Sequence, residues 1–332
     1  MDAIVITHFG GPNVLESRRV PKPAPVADEV LIRVKAFGVN HAEMHMRKGE
    51  WDEWNPISGL ECVGIVVDAP GGGGGQPAVG SKVAGVMGGM GRSRPGGYGE
   101  YVCVPVSNVV KLGEDTKLTW EELAALPEVY CTAWSCLFSV LDVQAGERVL
   151  IRGATSTLGQ AAVHLAVDKG ALVTATTRQE GRFGMLRGMG VRDVKREMPP
   201  GEFKGQFGSE EERFDKTLNL IGNSALLESI SLTRVGGRML QAGWLGGLAP
   251  VVDFNPMIQM ESGVHFSLFH SKVLGSKDFP LSGIPLQDIV EKLERGQWDA
   301  RPAHVFGVGE IREAHALLDS GRAGGKIVVR RD

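Results

Sequence analysis

The sequence predicts an α/β fold made of two parts, a β-rich part and a part built on a doubly wound parallel sheet. Residues 1 to about 120 contain many short apolar strands separated by Gly and Pro turns, a pattern typical of a small irregular barrel. A strand, a turn of small residues and a helix follow one another from Val149, as in a nucleotide-binding βαβ unit. At 332 residues the chain is long for one domain and sufficient for two.

The nucleotide-binding unit lies within Val149–Ala166, where an apolar strand runs into a turn of small residues and then a helix that we expect from Gln160. The N–H groups and the positive dipole end of such a helix suit a pyrophosphate. Ser156 occupies the middle place of the glycine pattern, so the turn alone leaves a dinucleotide site and an ordinary βα turn equally open. The residues that we expect around the phosphates, with three hydroxyls as candidate donors, are Gly153, Thr155, Ser156, Thr157, Leu158 and Gly159.

The next strand favours a dinucleotide and indicates which one. It ends at Thr176, Thr177 and Arg178, 17 to 19 residues after Gly159, where an NAD site usually carries Asp or Glu for the ribose. A carboxylate would repel a 2′-phosphate, whereas Arg binds it through two charge-assisted hydrogen bonds. Arg182 follows one turn later. The sequence therefore predicts NADPH rather than NADH, with a solvated strand-end arginine as the alternative.

The composition is that of an ordinary soluble protein, with 42% hydrophobic residues, 23% charged residues and a net charge of −3. This charge provides no basic field for nucleic acid, and no apolar run approaches the roughly 20 residues of a membrane span. The N-terminal residues are typical of a strand start and not of a signal peptide. The four cysteines form no CxxC pair, which favours reduced thiols. We therefore expect a cytoplasmic protein with neither a nucleic-acid nor a membrane partner.

Other elements follow from apolar patterns and turn signals. Thr119 and Glu122 have the spacing of a helix capping box. Residues 195–212 are polar, carry Pro-Pro-Gly and an acidic run at 210–212, and predict a surface insertion. The remaining predicted strands are Ala3–Thr7, Glu29–Phe37, Gly59–Asp68, Ser81–Val86, Tyr98–Val104, Phe214–Ile221, Arg238–Ala242, His265–Phe269 and Gly325–Arg330, and the predicted C-terminal helices are Leu286–Arg295 and Gly309–Leu318.

The order of these parts resembles the medium-chain dehydrogenase/reductase superfamily over nearly the full length. The local matches are Gly38–Gly49, Gly59–Gly64, Tyr130–Trp134, the turn at 153–159 and Gly236–Arg238. The resemblance implies a GroES-like catalytic domain over residues 1–124, a Rossmann NADPH-binding domain over 125–271 and a C-terminal return to the catalytic domain over 272–332. Because the family often forms dimers, it also implies a possible homodimer.

Within the superfamily, the chain is similar to the zinc-independent NADPH:quinone reductase branch. The positions where the zinc branch carries Cys, His and Cys appear as Asn40, Leu60 and, less surely aligned, Glu128. Leu cannot ligate zinc and Asn is a poor ligand. The four-cysteine structural zinc lobe is missing, since residues 87–97 contain no cysteine. A second metal hypothesis, His41-x-Glu43-x-His45, has a spacing that can bind zinc on a helix, but in the resembling family this segment lines the cofactor cleft without metal. We therefore predict no metal.

Short-chain dehydrogenases compete for the same glycine turn, but they need a Tyr and a Lys four residues apart. Tyr98, Tyr101 and Tyr130 are followed four residues later by Val, Pro and Trp. The sequence therefore excludes that alternative.

The resemblance implies the following roles. Asn40 and Thr132 contact the nicotinamide side, while Gly243 and Leu268 flank the ring. Asn40 as a turn residue and Thr132 as a backbone-bonded helix hydroxyl remain alternatives. His45 stands where quinone reductases often have Tyr, so it is a catalytic candidate with Asn40, and a solvated loop histidine is equally open.

Without zinc, a hydride acceptor must be activated by conjugation and hydrogen bonds, which favours a small-molecule quinone or α,β-unsaturated carbonyl (enone). The predicted function is an NADPH-dependent, zinc-independent oxidoreductase acting on such substrates. Two alternatives remain: a trans-acting enoyl reductase of a biosynthetic pathway, and an NADPH-binding protein without catalysis.

Overall fold

A computed structural model describes residues 1–71, 76–199, 201–207 and 212–331. Its contacts divide the chain into two compact units, Met1–Cys131 with Ser271–Asp332, and Thr132–His270. The first unit thus ends at 131, where the sequence suggested 124, and resumes at 271, where the sequence suggested 272.

The first unit is organised around a seven-stranded mixed sheet with a separate two-stranded ribbon. Its strands are β1 Asp2–Ile6, β2 Leu15–Arg19, β3 Glu29–Val39, β4 Glu61–Asp68, β5 Lys82–Val86, β6 Tyr101–Pro105, β7 Val109–Lys111, β14 His304–Gly307 and β15 Ile327–Arg330. Its helices are α1 His41–Lys48, α2 Trp120–Ala124, α8 Leu286–Glu294 and α9 Ile311–Asp319, and α3 Pro127–Trp134 spans the division between units. The ribbon pairs β1 with β2, and the large sheet has the order β14-β15-β3-β4-β5-β7, with β6 pairing β3.

Strand β3 is the centre of this sheet because it pairs with β15, β4 and β6. Val30, Ile32 and Val34 of this strand are at most 2% exposed and belong to the core cluster, and Leu31, Phe37 and Val39 are buried as well, so both faces of the strand are largely covered. Helix α9 contributes Ile311 and Leu318 to the same core cluster. Each buried aliphatic side chain of this kind stabilises the unit by about 1.5–3 kcal/mol relative to exposure.

The second unit is built on a six-stranded sheet. Its elements are β8 Arg148–Arg152, α4 Thr157–Asp168, β9 Leu172–Thr177, α5 Phe183–Gly188, β10 Asp193–Arg196, β11 Phe214–Asn219, α6 Leu226–Ser231, β12 Thr233–Gln241, α7 Pro256–Gln259 and β13 His265–Leu268. Every strand pair is parallel, and the order is β10-β9-β8-β11-β12-β13. Counted along the unit, this is the order 3-2-1-4-5-6 of a doubly wound sheet, whose ligand crevice lies at the strand ends where the order reverses. The predicted α/β class and doubly wound sheet are thus confirmed.

The surface insertion predicted at 195–212 is wrong for its described part. Phe203 is fully buried in a cluster with Leu150, Phe214 and Leu232, and Phe207 packs against that cluster. The segment therefore contributes aromatic side chains to the core of the sheet. Most of the predicted acidic run at 210–212 lies outside the described residues.

One helical stretch, Trp120–Val140, is long and apolar enough to pass a length-and-composition test for a membrane span, with a mean hydropathy of 1.3. It combines α2, α3 and a π-helical segment, Ser135–Val140. The sequence analysis anticipated no apolar stretch of this length. Because 72% of its apolar window is buried within the protein, packing in the core accounts for its hydropathy.

Candidate functional site

The predicted phosphate turn connects β8 to α4. Ser156 is the N-cap of the helix, which starts at Thr157 rather than at Gln160. Its hydroxyl accepts from the Gly159 N–H at 3.1 Å and donates to the Gly153 carbonyl at 2.8 Å. This corrects the prediction that Ser156 donates to a phosphate, because its hydroxyl hydrogen is already used within the turn.

Gly159 has a steric reason to be glycine. A Cβ at this position would lie 2.5 Å from the carbonyl oxygen of Gly153, well inside van der Waals contact. Gly153 itself has a φ of 80°, a conformation that glycine adopts without strain. The turn is therefore shaped by these two residues, and it opens the first turn of a helix of 12 residues. In that first turn the N–H groups of Thr157 and Leu158 have no carbonyl of a preceding turn to bind, which makes them candidate phosphate donors.

The two threonines at the end of β9 are buried, and their hydroxyls are bonded to other groups of the protein. Thr176 is fully buried, and its hydroxyl accepts from the Gly153 N–H at 3.2 Å and donates to Glu197 Oε2 at 2.6 Å. The Thr177 hydroxyl lies 3.1 Å from the Thr155 hydroxyl and is 3% exposed as a residue. Thr176 was counted among the cofactor-binding residues of the strand end. Its hydroxyl both accepts and donates inside the protein, so its contact with a cofactor stays a prediction.

Arg178, the next residue, is in a different environment. It is exposed, and within the described ranges its guanidinium makes no hydrogen bond or ion pair. Arg182 is half-buried at the end of a short 3₁₀ turn, with Nη2 at 3.6 Å from Met185 Sδ. The cation at the end of β9 is thus available to an anion from solvent.

Arg152, the last residue of β8, was not singled out from the sequence. It is 1% exposed and forms ion pairs with Glu197 and Glu228, the latter at 2.9 Å. Its Nη1 also donates to Ser229 Oγ at 3.0 Å. A charged residue ending a buried strand immediately before a glycine turn is the only sequence signal that pointed to it.

In the first unit, Asn40 caps helix α1 and lies within a buried charged cluster. Its backbone N–H donates to Glu43 Oε2 at 2.7 Å, and its Nδ2 donates to Glu43 at 3.3 Å and to Glu61 Oε1 at 3.0 Å. Its Oδ1 accepts from Lys326 Nζ at 2.6 Å. Both side-chain donors of Asn40 are therefore used within this unit, and a contact with nicotinamide stays a prediction.

Lys326 is the residue of this cluster that the sequence analysis missed. Its Nζ lies 2.7 Å from Glu61 Oε1, and the two side chains are 5% and 0% exposed. Gly38 makes room for the pair, because a Cβ there would lie 2.2 Å from Glu61 Oε1. The sequence shows only a lysine directly before the last strand, β15. Such a lysine cannot be distinguished from a surface lysine until the fold places it beside Glu61.

Glu43 carries the clearest electrostatic perturbation of the cluster. The carboxyl is fully buried, and this desolvation raises its pKa from 4.5 to about 7. The backbone N–H of Leu60, which donates to Glu43 Oε1 at 3.0 Å, and the nearby Lys326 partly oppose the rise in pKa. The carboxyl therefore changes protonation near neutral pH.

The donor set in this region does not fit a catalytic zinc. Leu60 is 1% exposed and offers no ligand atom, and the Asn40 oxygen is already bound to an ammonium group. Two residues of the second metal hypothesis, the His41-x-Glu43-x-His45 segment, already have partners within the protein. Glu43 accepts from Asn40 and Leu60, and His45 contacts Glu50. Over the described ranges, no group of three His, Cys, Asp or Glu residues could hold a metal ion.

His45 lies on α1 and is held by two neighbours. Its Nδ1 makes a close hydrogen bond to the Glu50 carboxylate, and its ring stacks on Trp51 with centroids 5.1 Å apart and an interplanar angle of 16°. A carboxylate at Nδ1 fixes the ring orientation and leaves Nε2 as the second ring nitrogen. Nε2 has no partner in the part of the chain that the structure describes.

The other predicted cofactor residues lie in the second unit. Thr132 is 3% exposed and already interacts with other groups of the protein. Gly243 packs against the end of β11, where a Cβ would lie 2.6 Å from the Leu220 carbonyl oxygen. Leu268 ends β13 and is 52% exposed. Their predicted contacts with nicotinamide stay predictions.

Comparison with protein families matches two models to the chain. The Alcohol dehydrogenase GroES-like domain matches residues 26–114, and the Zinc-binding dehydrogenase domain matches residues 197–329. Together they cover more than half of the sequence, and they include strands of both large sheets. The chain belongs to the medium-chain dehydrogenase/reductase superfamily. The resemblance inferred from the sequence and the GroES-like assignment of the β-rich unit are thereby confirmed.

Individual members of the superfamily are similar over the whole chain. Human quinone oxidoreductase is 28% identical over 99% of this chain and 97% of its own length. A phenolphthiocerol/phthiocerol polyketide synthase protein of Mycobacterium tuberculosis is 27% identical over 96% of this chain, which spans only 14% of that protein. Among solved structures, an NAD-dependent alcohol dehydrogenase has a TM-score of 0.81 at 27% identity, with 100% of both chains covered. A mycobacterial protein complexed with NADPH has a TM-score of 0.84 at 22% identity over 100% of both chains, a likeness that shows the shared fold.

Proposed function

We propose that this dehydrogenase/reductase is an NADPH-dependent, zinc-independent oxidoreductase that transfers hydride to a quinone or an α,β-unsaturated carbonyl. The observation that carries the proposal is the glycine turn at the start of α4 together with Arg178, which is exposed where an NAD site usually has a carboxylate. Among the residues that the structure describes, nothing pairs with the Arg178 guanidinium.

The residues present fit a dinucleotide phosphate. The turn at Gly153 and Gly159 leaves no Cβ in the way, and the N–H groups of Thr157 and Leu158 at the helix start would bind the pyrophosphate. The Arg178 guanidinium would bind a 2′-phosphate through parallel hydrogen bonds, with Arg182 adding positive charge. The same position would offer no acceptor to the free 2′-hydroxyl of NADH, so we propose selectivity for NADPH.

The chemistry of the first-unit cluster supports the zinc-independent part of the proposal. A catalytic zinc needs three protein ligands and an open position. The position of one ligand is the aliphatic Leu60, and the cluster already contains the Lys326 ammonium bound to Asn40 and Glu61. A divalent cation placed there would meet a buried positive charge, which is costly in a region of low dielectric.

The proposed substrate class is supported by Asn40 and Leu60, which stand where the zinc branch carries ligands of its Lewis-acidic metal. The bound cofactor would supply a hydride from its nicotinamide C4. The chain would have to donate a hydrogen bond or a proton to the acceptor oxygen, on which negative charge develops. His45 is the donor that we propose, because the Glu50 contact orients its ring and leaves Nε2 without a protein partner in the described residues.

The names of the relatives are consistent with this proposal and leave a second candidate. The human relative is called quinone oxidoreductase, and the chain covers nearly all of it. The match to part of a polyketide synthase over 96% of this chain is consistent with a role in a biosynthetic pathway, and a trans-acting enoyl reductase stays the second candidate. The alcohol dehydrogenase neighbour is described as NAD-dependent, so cofactor choice has to be measured on this chain.

Partners and location belong to the same proposal. The four cysteines are free thiols, which supports a reducing, cytoplasmic environment. The net charge of −3 supports a small-molecule substrate rather than nucleic acid. A homodimer and the lack of a membrane partner remain predictions.

The experiment that tests the proposal is oxidation of NADPH by purified protein with a panel of acceptors. The panel contains small quinones, an α,β-unsaturated ketone, an enoyl thioester and a saturated ketone. We expect turnover with quinone or unsaturated ketone and none with the saturated ketone. Preference for the thioester would favour the enoyl reductase, and NADPH binding without any turnover would favour a non-catalytic binding protein.

A further inference from the structure

We propose that Glu197 is a positioning residue for the dinucleotide turn and acts on it through Thr176. The proposal rests on the proposed function, since it concerns how the same turn is held ready for NADPH. Glu197 follows β10 directly, and its backbone N–H extends the pairing with β9 by donating to the Thr177 carbonyl at 2.9 Å. Its side chain is 7% exposed and points to the end of β8.

The carboxylate of Glu197 joins two residues that lie next to the turn. Its Oε2 accepts from the Thr176 hydroxyl at 2.6 Å and from Arg152 Nε at 3.3 Å, while its Oε1 makes a close ion pair with Arg152 Nη2. Arg152 is the residue immediately before Gly153, and Thr176 Oγ1 accepts from the Gly153 N–H at 3.2 Å. Glu197 therefore contacts the residue before the turn, Arg152, and the residue that accepts from the turn, Thr176. It contacts no residue of the turn itself among these bonds.

The direction of these hydrogen bonds gives Glu197 its role. An ionised carboxylate only accepts, so the Thr176 hydroxyl must donate to it. This orientation leaves a lone pair of the same hydroxyl for the Gly153 N–H. The Gly153 carbonyl in turn accepts from Ser156, the N-cap of α4, at 2.8 Å. Gly153 is thus held at both its N–H and its carbonyl. Without the carboxylate, nothing would fix the orientation of the Thr176 hydroxyl, and the first of these two attachments would weaken.

The short segment after Glu197 supports the same group. Phe203 is fully buried, and its ring centroid lies 4.5 Å from Arg152 Cζ, a cation–π contact. The part of the chain predicted from sequence to be a surface insertion therefore covers the Arg152 guanidinium. Glu197 and Phe203 therefore both contact residues next to the turn, which the polar composition of this part of the sequence did not indicate.

Glu228 provides a matched control within the same cluster. Its carboxylate pairs with the same Arg152 Nη2 at 2.9 Å, and its side chain is 8% exposed, nearly the same as that of Glu197. Its other oxygen accepts from the backbone N–H of Lys204 at 2.9 Å, on the side away from Thr176. Replacing either glutamate by methionine removes one ion pair from Arg152, but only Glu197→Met removes the acceptor of the Thr176 hydroxyl, because the amide oxygen of a glutamine could still accept from it.

The test compares NADPH dissociation constants, measured by fluorescence titration, for the wild type and for variants whose melting temperatures are recorded in parallel. We expect Glu197→Met and Thr176→Val to weaken NADPH binding by about tenfold, the effect of losing one hydrogen bond, and Thr176→Ser to bind as the wild type does. Glu228→Met should lower the melting temperature as Glu197→Met does and leave the dissociation constant within about twofold. Because both residues act through one contact, the double variant Glu197→Met/Thr176→Val should bind no more weakly than either single variant.

Equal weakening by Glu197→Met and Glu228→Met, or unchanged binding in Glu197→Met, would overturn the positioning role while leaving the proposed function standing. If Glu197→Met fails to fold, the comparison of Thr176→Val with Thr176→Ser decides alone: equal affinities for that pair would overturn the role. A wild-type protein that binds neither nicotinamide dinucleotide would overturn the proposed function and this inference together.

Discussion

The Lys326 ammonium lies 2.7 Å from the Glu61 carboxylate, and both side chains are almost completely buried in the β-rich unit. The ammonium also binds Asn40 Oδ1 at 2.6 Å. A positive charge of the chain itself therefore balances the buried Glu61 carboxylate and binds the side chain of Asn40. This pair links the closing strand of the unit to β4, across 265 residues of sequence.

Lys326→Met should destabilise the first unit by about 3–5 kcal/mol, because Glu61 would keep a buried charge without its partner. Urea unfolding followed by tryptophan fluorescence measures the loss. The double variant Lys326→Met/Glu61→Gln removes both charges and should recover part of it. A single variant within about 0.5 kcal/mol of wild type would show that the ammonium does not neutralise Glu61 in solution.

The pH dependence of stability should reveal Glu43. Burial raises its pKa from 4.5 to about 7, so the folded state holds this proton more tightly than the unfolded state. The stabilisation is complete below pH 4.5 and is lost as the pH rises through about 7. The unfolding free energy of wild type minus that of Glu43→Gln should therefore fall between pH 4.5 and 7, by at most about 1.4 kcal/mol per pH unit.

His315 supplies a control of opposite sign. Burial and the neighbouring Arg47 lower its pKa from 6.5 to about 3, and its Nδ1 accepts from Arg47 Nε at 3.3 Å while Nε2 lies 2.8 Å from the Tyr98 hydroxyl. A lowered pKa means that stability is present above pH 6.5 and is lost as the pH falls toward 3. The difference between wild type and His315→Gln should rise with pH over that range. Two difference curves of the same slope would contradict these assignments.

Arg178→Asp should weaken NADPH binding by about 10- to 100-fold and NADH binding by less than about threefold. The guanidinium would contact only the 2′-phosphate, which NADH lacks, and a carboxylate would repel it. Isothermal titration with both cofactors measures the change, and Arg187→Asp, the same charge reversal on α5, is the control. Equal losses for both cofactors in Arg178→Asp would mean that the phosphate binds elsewhere.

His45→Phe should lower the turnover number by at least about tenfold and leave the NADPH dissociation constant nearly unchanged, because the phenyl ring can still stack on Trp51 but cannot donate a proton. Glu50→Gln, which keeps a hydrogen-bonding partner at Nδ1, should show a smaller decrease. Steady-state kinetics with a quinone separate the two parameters. An unchanged turnover number in His45→Phe would remove the residue from the mechanism.

Most of the parallel sheet could be predicted from sequence because its information is local. The strand, turn and helix at Val149–Ala166 depend on apolar runs and on glycines at fixed spacing. The capping box at Thr119 and Glu122 was also correct, since the Thr119 hydroxyl accepts from the Glu122 N–H at 3.3 Å. Such signals act within a few residues, where sequence spacing and spatial distance correspond.

The errors concern polar residues whose partners are far away in the chain. Strand β2 has the polar sequence Leu-Glu-Ser-Arg-Arg and was missed, because it gains its structure from pairing with β1. The contact between Thr176 and Glu197 was missed because the two residues lie 21 apart in sequence, and Lys326 was missed because Glu61 is 265 residues away. Composition made residues 195–212 look solvent-exposed, although two phenylalanines among them pack in the core. In each case a long-range contact decided the outcome.

The central claim, reduction of a conjugated acceptor by NADPH without metal, is tested most directly by one assay. Purified protein is dialysed against a chelator, its zinc content is measured, and NADPH oxidation is followed with a small quinone. The account predicts full turnover at a zinc content far below one per chain, with NADPH preferred over NADH. Activity that disappears with the metal and returns on adding zinc would contradict the account, as would the absence of NADPH binding.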